Sequence, residues 1–218
     1  MFKRLLLATV LTASALAGVS QAQAAPIIQL MVGSTVITDN GAGDNSPIND
    51  VISYSAAVAP FNVTVNTGVA NDLPYLDLAS QDISSSAAGT LIIKFTATDL
   101  TSPSAITNYL TMFSGNIAGG SATVRLQSYY DASNSAFGTA TALGNLSSSN
   151  AGFFLNSVNA AGGSAMFSLT EILTVTADGA GRNFSLDASV SNVPEPMSIA
   201  LVGTGLVGIG ALRRKRTA

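Results

Sequence analysis

Neither histidine nor cysteine occurs anywhere in the 218 residues. Their absence excludes Ser-His-Asp and Cys-His nucleophile systems, histidine or thiolate zinc sites, disulfides and thiol redox chemistry. Without cysteine there is also no attachment point for an N-terminal lipid. Tryptophan is missing as well, and charged residues make up only 10% of the chain. The few cations are unevenly placed. Between Ala25 and Val193 only Lys94, Arg125 and Arg182 oppose eleven carboxylates, so the body is markedly more acidic than the formal net charge of −3 for the whole chain. Clustered Lys and Arg, which nucleic acid and anionic lipid need for electrostatic binding, are absent from it. Neutral polysaccharide and divalent cations remain compatible partners.

The cations missing from the body sit at the two ends. Lys3 and Arg4 precede an apolar stretch from Leu5 to about Val19, followed by Ala22-Gln23-Ala24. Small residues at alternate positions after such a run are what signal peptidase cuts, so residues 1–24 read as a secretory signal peptide and the mature chain is expected to begin at Ala25. An uncleaved N-terminal anchor is the other reading of the same segment. Export then implies the Sec translocon and signal peptidase as processing partners.

At the other end Val193-Pro194-Glu195-Pro196 leads into the uncharged run Met197 to Leu212, closed by Arg213-Arg214-Lys215-Arg216. The basic cluster holds the C-terminus in the cytoplasm by the positive-inside rule, which places the body outside. Sixteen residues of helix reach only about 24 Å, short of a hydrocarbon core of roughly 30 Å. Glycines at 203, 205, 208 and 210 weaken the helix further,. Ala200, Thr204 and Gly208 form a small-residue face suited to close packing against another membrane helix,. A temporary stop uses both properties; a plain membrane anchor behind a proline linker needs neither.

This tail, residues 193–218, resembles the PEP-CTERM sorting signal of exosortase-processed proteins of Gram-negative-type bacteria. The motif, the glycine-rich transmembrane helix and the terminal basic patch occur in that family's order and spacing. The resemblance implies an exosortase as partner, a transient stay in the inner membrane and cleavage near Pro194-Glu195-Pro196. Release to the cell surface or extracellular matrix would follow, often in bacteria that make exopolysaccharide and biofilm.

Residues 25–192 are long enough for one domain with a substantial core. Asn62–Asn66, Thr123–Gln127 and Phe184–Ala188 alternate apolar and polar residues and predict half-buried strands. Leu91–Thr96 is more continuously apolar and predicts a central strand, and Met166–Thr176 predicts one long strand or a hairpin arm. Ile27–Val32, Val51–Val58 and Tyr109–Phe113 are further strand candidates. Turn clusters are expected at Asp39–Asn49, Thr67–Pro74, Ser84–Gly89, Thr101–Ser104, Gly115–Ser121, Ala160–Ser164 and Asp178–Gly181. Strands at this spacing with no helical period between them predict an all-β, antiparallel β-sandwich, flanked by the signal peptide and the sorting helix. Asn134–Asn150 reads as either an irregular loop or a short edge strand.

Candidate site residues are few. The densest oxygen-ligand cluster runs from Asp39 to Asp50, with Asp39, Asn40, Asp44, Asn45 and Asp50 as calcium ligands of the weak extracellular type. The competing reading is a plain turn whose side chains bond their own backbone. No other cofactor is implied. Glu171, the one glutamate of the body, lies in Leu169-Thr170-Glu171-Ile172-Leu173; the ordinary place for such a residue is the polar face of its strand. An acid-base enzyme would need a second carboxylate converging on it, so a non-enzyme is expected. Tyr54, Tyr75, Tyr109, Tyr129 and Tyr130 include either a sugar-stacking platform or core residues with wet tips. The functional expectation is a structural, adhesive or exopolysaccharide-associated envelope protein. Alternatives are a secreted carbohydrate-binding module and, behind it, a secreted hydrolase.

Overall fold

The computed structural model describes residues 25–70, 75–101, 106–162, 164 and 166–193. The signal peptide with Ala22 and Ala24, and the sorting tail from Pro194 through Arg213, Arg214, Lys215 and Arg216, lie outside the described residues. Among those described, no helix is long and apolar enough to cross a membrane.

Twelve strands are described: β1 (Ile27–Val32), β2 (Thr35–Thr38), β3 (Ser53–Val58), β4 (Phe61–Ala70), β5 (Tyr75–Ser85), β6 (Gly89–Leu100), β7 (Ile106–Ala118), β8 (Ala122–Asp131), β9 (Thr141–Ser148), β10 (Gly152–Gly162), β11 (Phe167–Ala177) and β12 (Asn183–Val193). They pair antiparallel in two six-stranded sheets, β2-β1-β6-β11-β8-β9 and β10-β7-β12-β5-β4-β3. The first sheet's β6 and β11 face β5 and β12 of the second, and β9 closes against β10 and β7. This is the antiparallel sandwich expected from the alternating pattern.

Alternation places the core. In β8 every even residue from Ala122 to Tyr130 is buried, and in β12 Phe184, Leu186, Ala188 and Val190 point inward. Leu30, Ile93, Phe95, Leu173 and Val175 meet them from the first sheet. At about 25 cal/mol per Å² such apolar burial is the main stabilising term in a chain with no covalent staple. Tyr130 stacks on Phe167 with ring centroids 4.8 Å apart, and Tyr109 lies 6.1 Å from Tyr130, so these tyrosines are interior residues.

Several expected turns turn out to be strand. β4 continues through Thr67 to Ala70, β10 runs to Gly162, and β7 carries Gly115 to Ala118, leaving only Gly119–Ser121 as the turn. Gly115 belongs inside the strand because β7 and β12 approach closely there: an added Cβ would lie 2.5 Å from the Ser185 carbonyl oxygen. Of Asn134–Asn150, the second half is the edge strand β9, while the segment before it lies over the outer face of the first sheet. There the Phe137 N–H donates to Thr96 Oγ1 at 3.2 Å and Ser168 Oγ donates to the Ser135 carbonyl at 2.7 Å. This cover explains why Thr96, Ser168 and Thr170 are buried although they face away from the core.

Candidate functional site

The outer face of the second sheet carries a shallow concavity. One β-bulge, in β5, shapes it. The register shifts between Thr64 and Asn66 of β4 and between Leu186 and Ala188 of β12 both place the extra residue on β5; a bulge bends its strand and increases the twist. Beyond it two rows of short side chains cross the strands. One row is Ala57, Asn62, Ser84, Asn183 and Ala118, in mutual register on β3, β4, β5, β12 and β7. The next is Ser55, Thr64, Asp82, Ser185 and Asn116 on the same strands, with Gly152 of β10 opposite Asn116.

Together the rows line a trough of about 560 Å³. A second depression of about 450 Å³ adjoins it through Asn116 and Ser185 and ends at Asp187. With strands about 4.8 Å apart, five strands span about 19 Å between the outermost axes. Five polar side chains here, those of Asn62, Asp82, Ser84, Asn116 and Ser185, are left out of the hydrogen bonds formed among the described residues; Ser55 and Thr64 bond each other at 3.1 Å. Nothing in the alternation of any one strand marks these residues. Register alone assembles them.

Glu171 occupies a different place from the one expected. It points into the sandwich, fully buried, and neither carboxyl oxygen has a hydrogen-bond partner. Its neighbours at two-residue spacing, Leu169 and Leu173, are core residues, and that phase puts Glu171 among them rather than on a polar face,. Burial pushes its pKa well above the usual carboxylate value, and the negative charges of Asp77 and Asp187 add to the shift. Asp77 is itself raised, first by desolvation and then by Asp187, against a lowering hydrogen bond from Tyr75. Tyr75 is pushed up to about 12, mainly by burial and then by Asp77. Asp187 is exposed and Asp77 half-buried on the outer side of the second sheet, so Glu171 shares no solvent-open cleft with either.

The Asp39–Asp50 loop is held by its own carboxylates. Asp44 accepts from the backbone N–H groups of Asn40, Ser46 and Ser53 at 2.8–3.0 Å, and Asp39 accepts from Asp50 N and Asn40 Nδ2. Asn40 and Asp50 take left-handed φ values of 56° and 64°, as turn residues of these types do,. Asn40 also reaches Asn49 Oδ1, while Asn45 is tied through its N–H to the Ser53 carbonyl. Among the described residues no group of three or more acidic side chains converges in a metal-holding arrangement. This bonding is that of the turn reading.

The tyrosines do not share a surface. Tyr109 and Tyr130 are interior, Tyr54 packs against the core, Tyr75 faces out beside Asp77, and Tyr129 accepts from Gln127 Nε2 on the first sheet. Val193 closes β12 opposite Asn108 of β7. The PEP-CTERM protein-sorting motif matches residues 192–216, overlapping that strand end by two residues.

The chain carries a PEP-CTERM sorting signal. A PEP-CTERM chain is exported, anchored through its C-terminal signal and processed by an exosortase, and the match takes in Val193, Pro194, Glu195, Pro196 and the four terminal basic residues. No curated protein matches this PEP-CTERM chain in sequence. Among solved structures, the enzymatically active domain of tailspike protein 4 of bacteriophage CBA120 aligns at 14% identity and a TM-score of 0.36, covering 71% of this chain and 21% of that one. The isomalto-dextranase of Arthrobacter globiformis T6, solved with panose, aligns at 11% identity and a TM-score of 0.27, covering 77% of this chain and 30% of that one. The chain thus spans less than a third of either structure.

Proposed function

We propose that the sandwich is a structural or adhesive component of the cell envelope or extracellular matrix, delivered by its sorting signal and associated with exopolysaccharide. The observation that carries this reading is the direct join between β12 and the motif. Asn192 and Val193 belong to both, so what the exosortase handles is the end of a central strand of the domain. The body supports a scaffold role: long strands, an extensive apolar core and an acidic surface with few cations. In this reading the Sec translocon and signal peptidase export the chain, the inner membrane holds it transiently, and the mature protein reaches the surface or matrix.

Fractionation of cells with and without their exosortase tests the proposal. Wild-type cells should hold a shortened protein in the surface and matrix fractions, while cells without the enzyme should hold the longer form in the inner membrane. An identical distribution in both strains would overturn it.

A further inference from the structure

We propose that the trough across the second sheet binds a neutral, hydroxyl-rich polysaccharide chain lying across the strands. The inference deepens the exopolysaccharide association proposed above and rests on it for the presence of such a ligand.

Side-chain amides present a donor and an acceptor together, and hydroxyls do both with one atom. A sugar ring offers the same mixture along its edge. The two rows repeat such groups at each strand, about every 4.8 Å, a spacing close to the width of one ring. Asn62, Asn116 and Ser185 are outward-facing and make no side-chain hydrogen bond among the described residues, so a ligand displaces water rather than an internal partner. Short side chains keep the floor low enough for a chain to lie in it.

Charge sets the ligand class. Asp82 lines the trough and Asp187 stands at its end, while its lining contains no lysine or arginine. The nearest cation in sequence, Arg182, is committed to Asp178 Oδ1 at 2.6 Å and to the carbonyls of Gly119 and Ala180. Uronate-rich or sulfated chains are therefore repelled, and uncharged ones are not. No tyrosine lines the two rows, so one trough binds weakly and many copies on one surface hold a polymer by avidity,.

Position supports the same use. Ser185 and Asn183 lie eight and ten residues before Val193 on one strand, about 27 and 34 Å at 3.4 Å per residue. The trough thus opens at the end of the sheet remote from the sorting motif.

Native gels containing hydroxyethylcellulose, dextran or alginate test the inference. The full chain is run in a detergent without a sugar headgroup. At least one neutral polymer should retard it, alginate should not, and the double variant Asn62→Ala/Asn116→Ala should bind at least 10-fold more weakly at an unchanged thermal midpoint. Thr174→Ala, on the other sheet, should bind like wild type. Migration unaffected by both neutral polymers, equal retardation by alginate, or wild-type binding by the double variant would each overturn it. A protein that reaches the matrix normally but ignores both neutral polymers refutes this site alone; one that binds them but is never sorted refutes the envelope proposal alone.

Discussion

Glu171 and Ser128 stand directly opposite each other on β11 and β8, yet Ser128 Oγ pairs at 2.6 Å with Thr111 Oγ1 of the other sheet and leaves the carboxyl without a partner. An acid so placed folds in its neutral form. Its pKa is higher folded than unfolded, so its contribution is fully present below about 4.5 and is lost as pH rises toward the folded value,. The loss amounts to about 1.4 kcal/mol per pH unit between the two values. Denaturant midpoints of the wild type should fall as pH rises above 4.5. Glu171→Leu should flatten that slope and gain about 1–3 kcal/mol at neutral pH, since an unbonded polar group leaves the interior. A variant with the wild-type slope would show that Asp77 or another group sets the dependence.

Arg182 ties two turns of the sandwich together, reaching Asp178 within its own turn and the Gly119 carbonyl in the β7–β8 turn. Gly119 has φ 91°, and a Cβ there would meet the Gly181 carbonyl. Gly119→Ala should therefore cost more than the roughly 1 kcal/mol of an ordinary unfavourable φ. Arg182→Ala should cost about 1–2 kcal/mol, because a charge-assisted bond is lost from a half-exposed site. Urea unfolding of both variants checks the order of the two effects.

Asp44 accepts three backbone N–H bonds in the Asp39–Asp50 loop. Asp44→Ala should lower stability by about 1–3 kcal/mol, the cost of leaving such donors to compete for water. Millimolar calcium should leave the wild-type thermal midpoint where equal ionic strength leaves it. A calcium-specific rise would show Asp39, Asp44 and Asp50 to be ion ligands.

Proline at 194 and 196 fixes φ and removes two backbone donors,. Glu195→Ala should leave unfolding of the domain unchanged while uncleaved precursor accumulates in the inner membrane. Deleting Arg213 to Arg216 should instead let unprocessed precursor slip into the periplasm. Immunoblots of membrane and periplasmic fractions separate these outcomes, and wild-type maturation of both variants would return the tail to a plain anchor.

Strands whose apolar residues run or alternate without a change of phase were legible from the residues. Ile27–Val32 coincides with β1, Leu91–Thr96 lies in an interior strand of its sheet, and Met166–Thr176 forms one long strand displaced by a single residue. β5 was not legible, because its inward residues are Leu76 and Leu78 before the bulge and Gln81 and Ile83 after it, a change of phase that hides the period of two. For Glu171 the signal was present in the spacing to Leu169 and Leu173. The trough had no linear signal, since Asn62, Asp82, Ser185 and Asn116 come from four strands and become neighbours only through pairing.

β12 lies between β5 and β7 with partners on both sides. Without residues 183–193 the second sheet is two unjoined fragments, β3-β4-β5 and β7-β10, each with a naked edge at the seam. The strand whose last two residues fall within the sorting motif is therefore the one that locks those halves together.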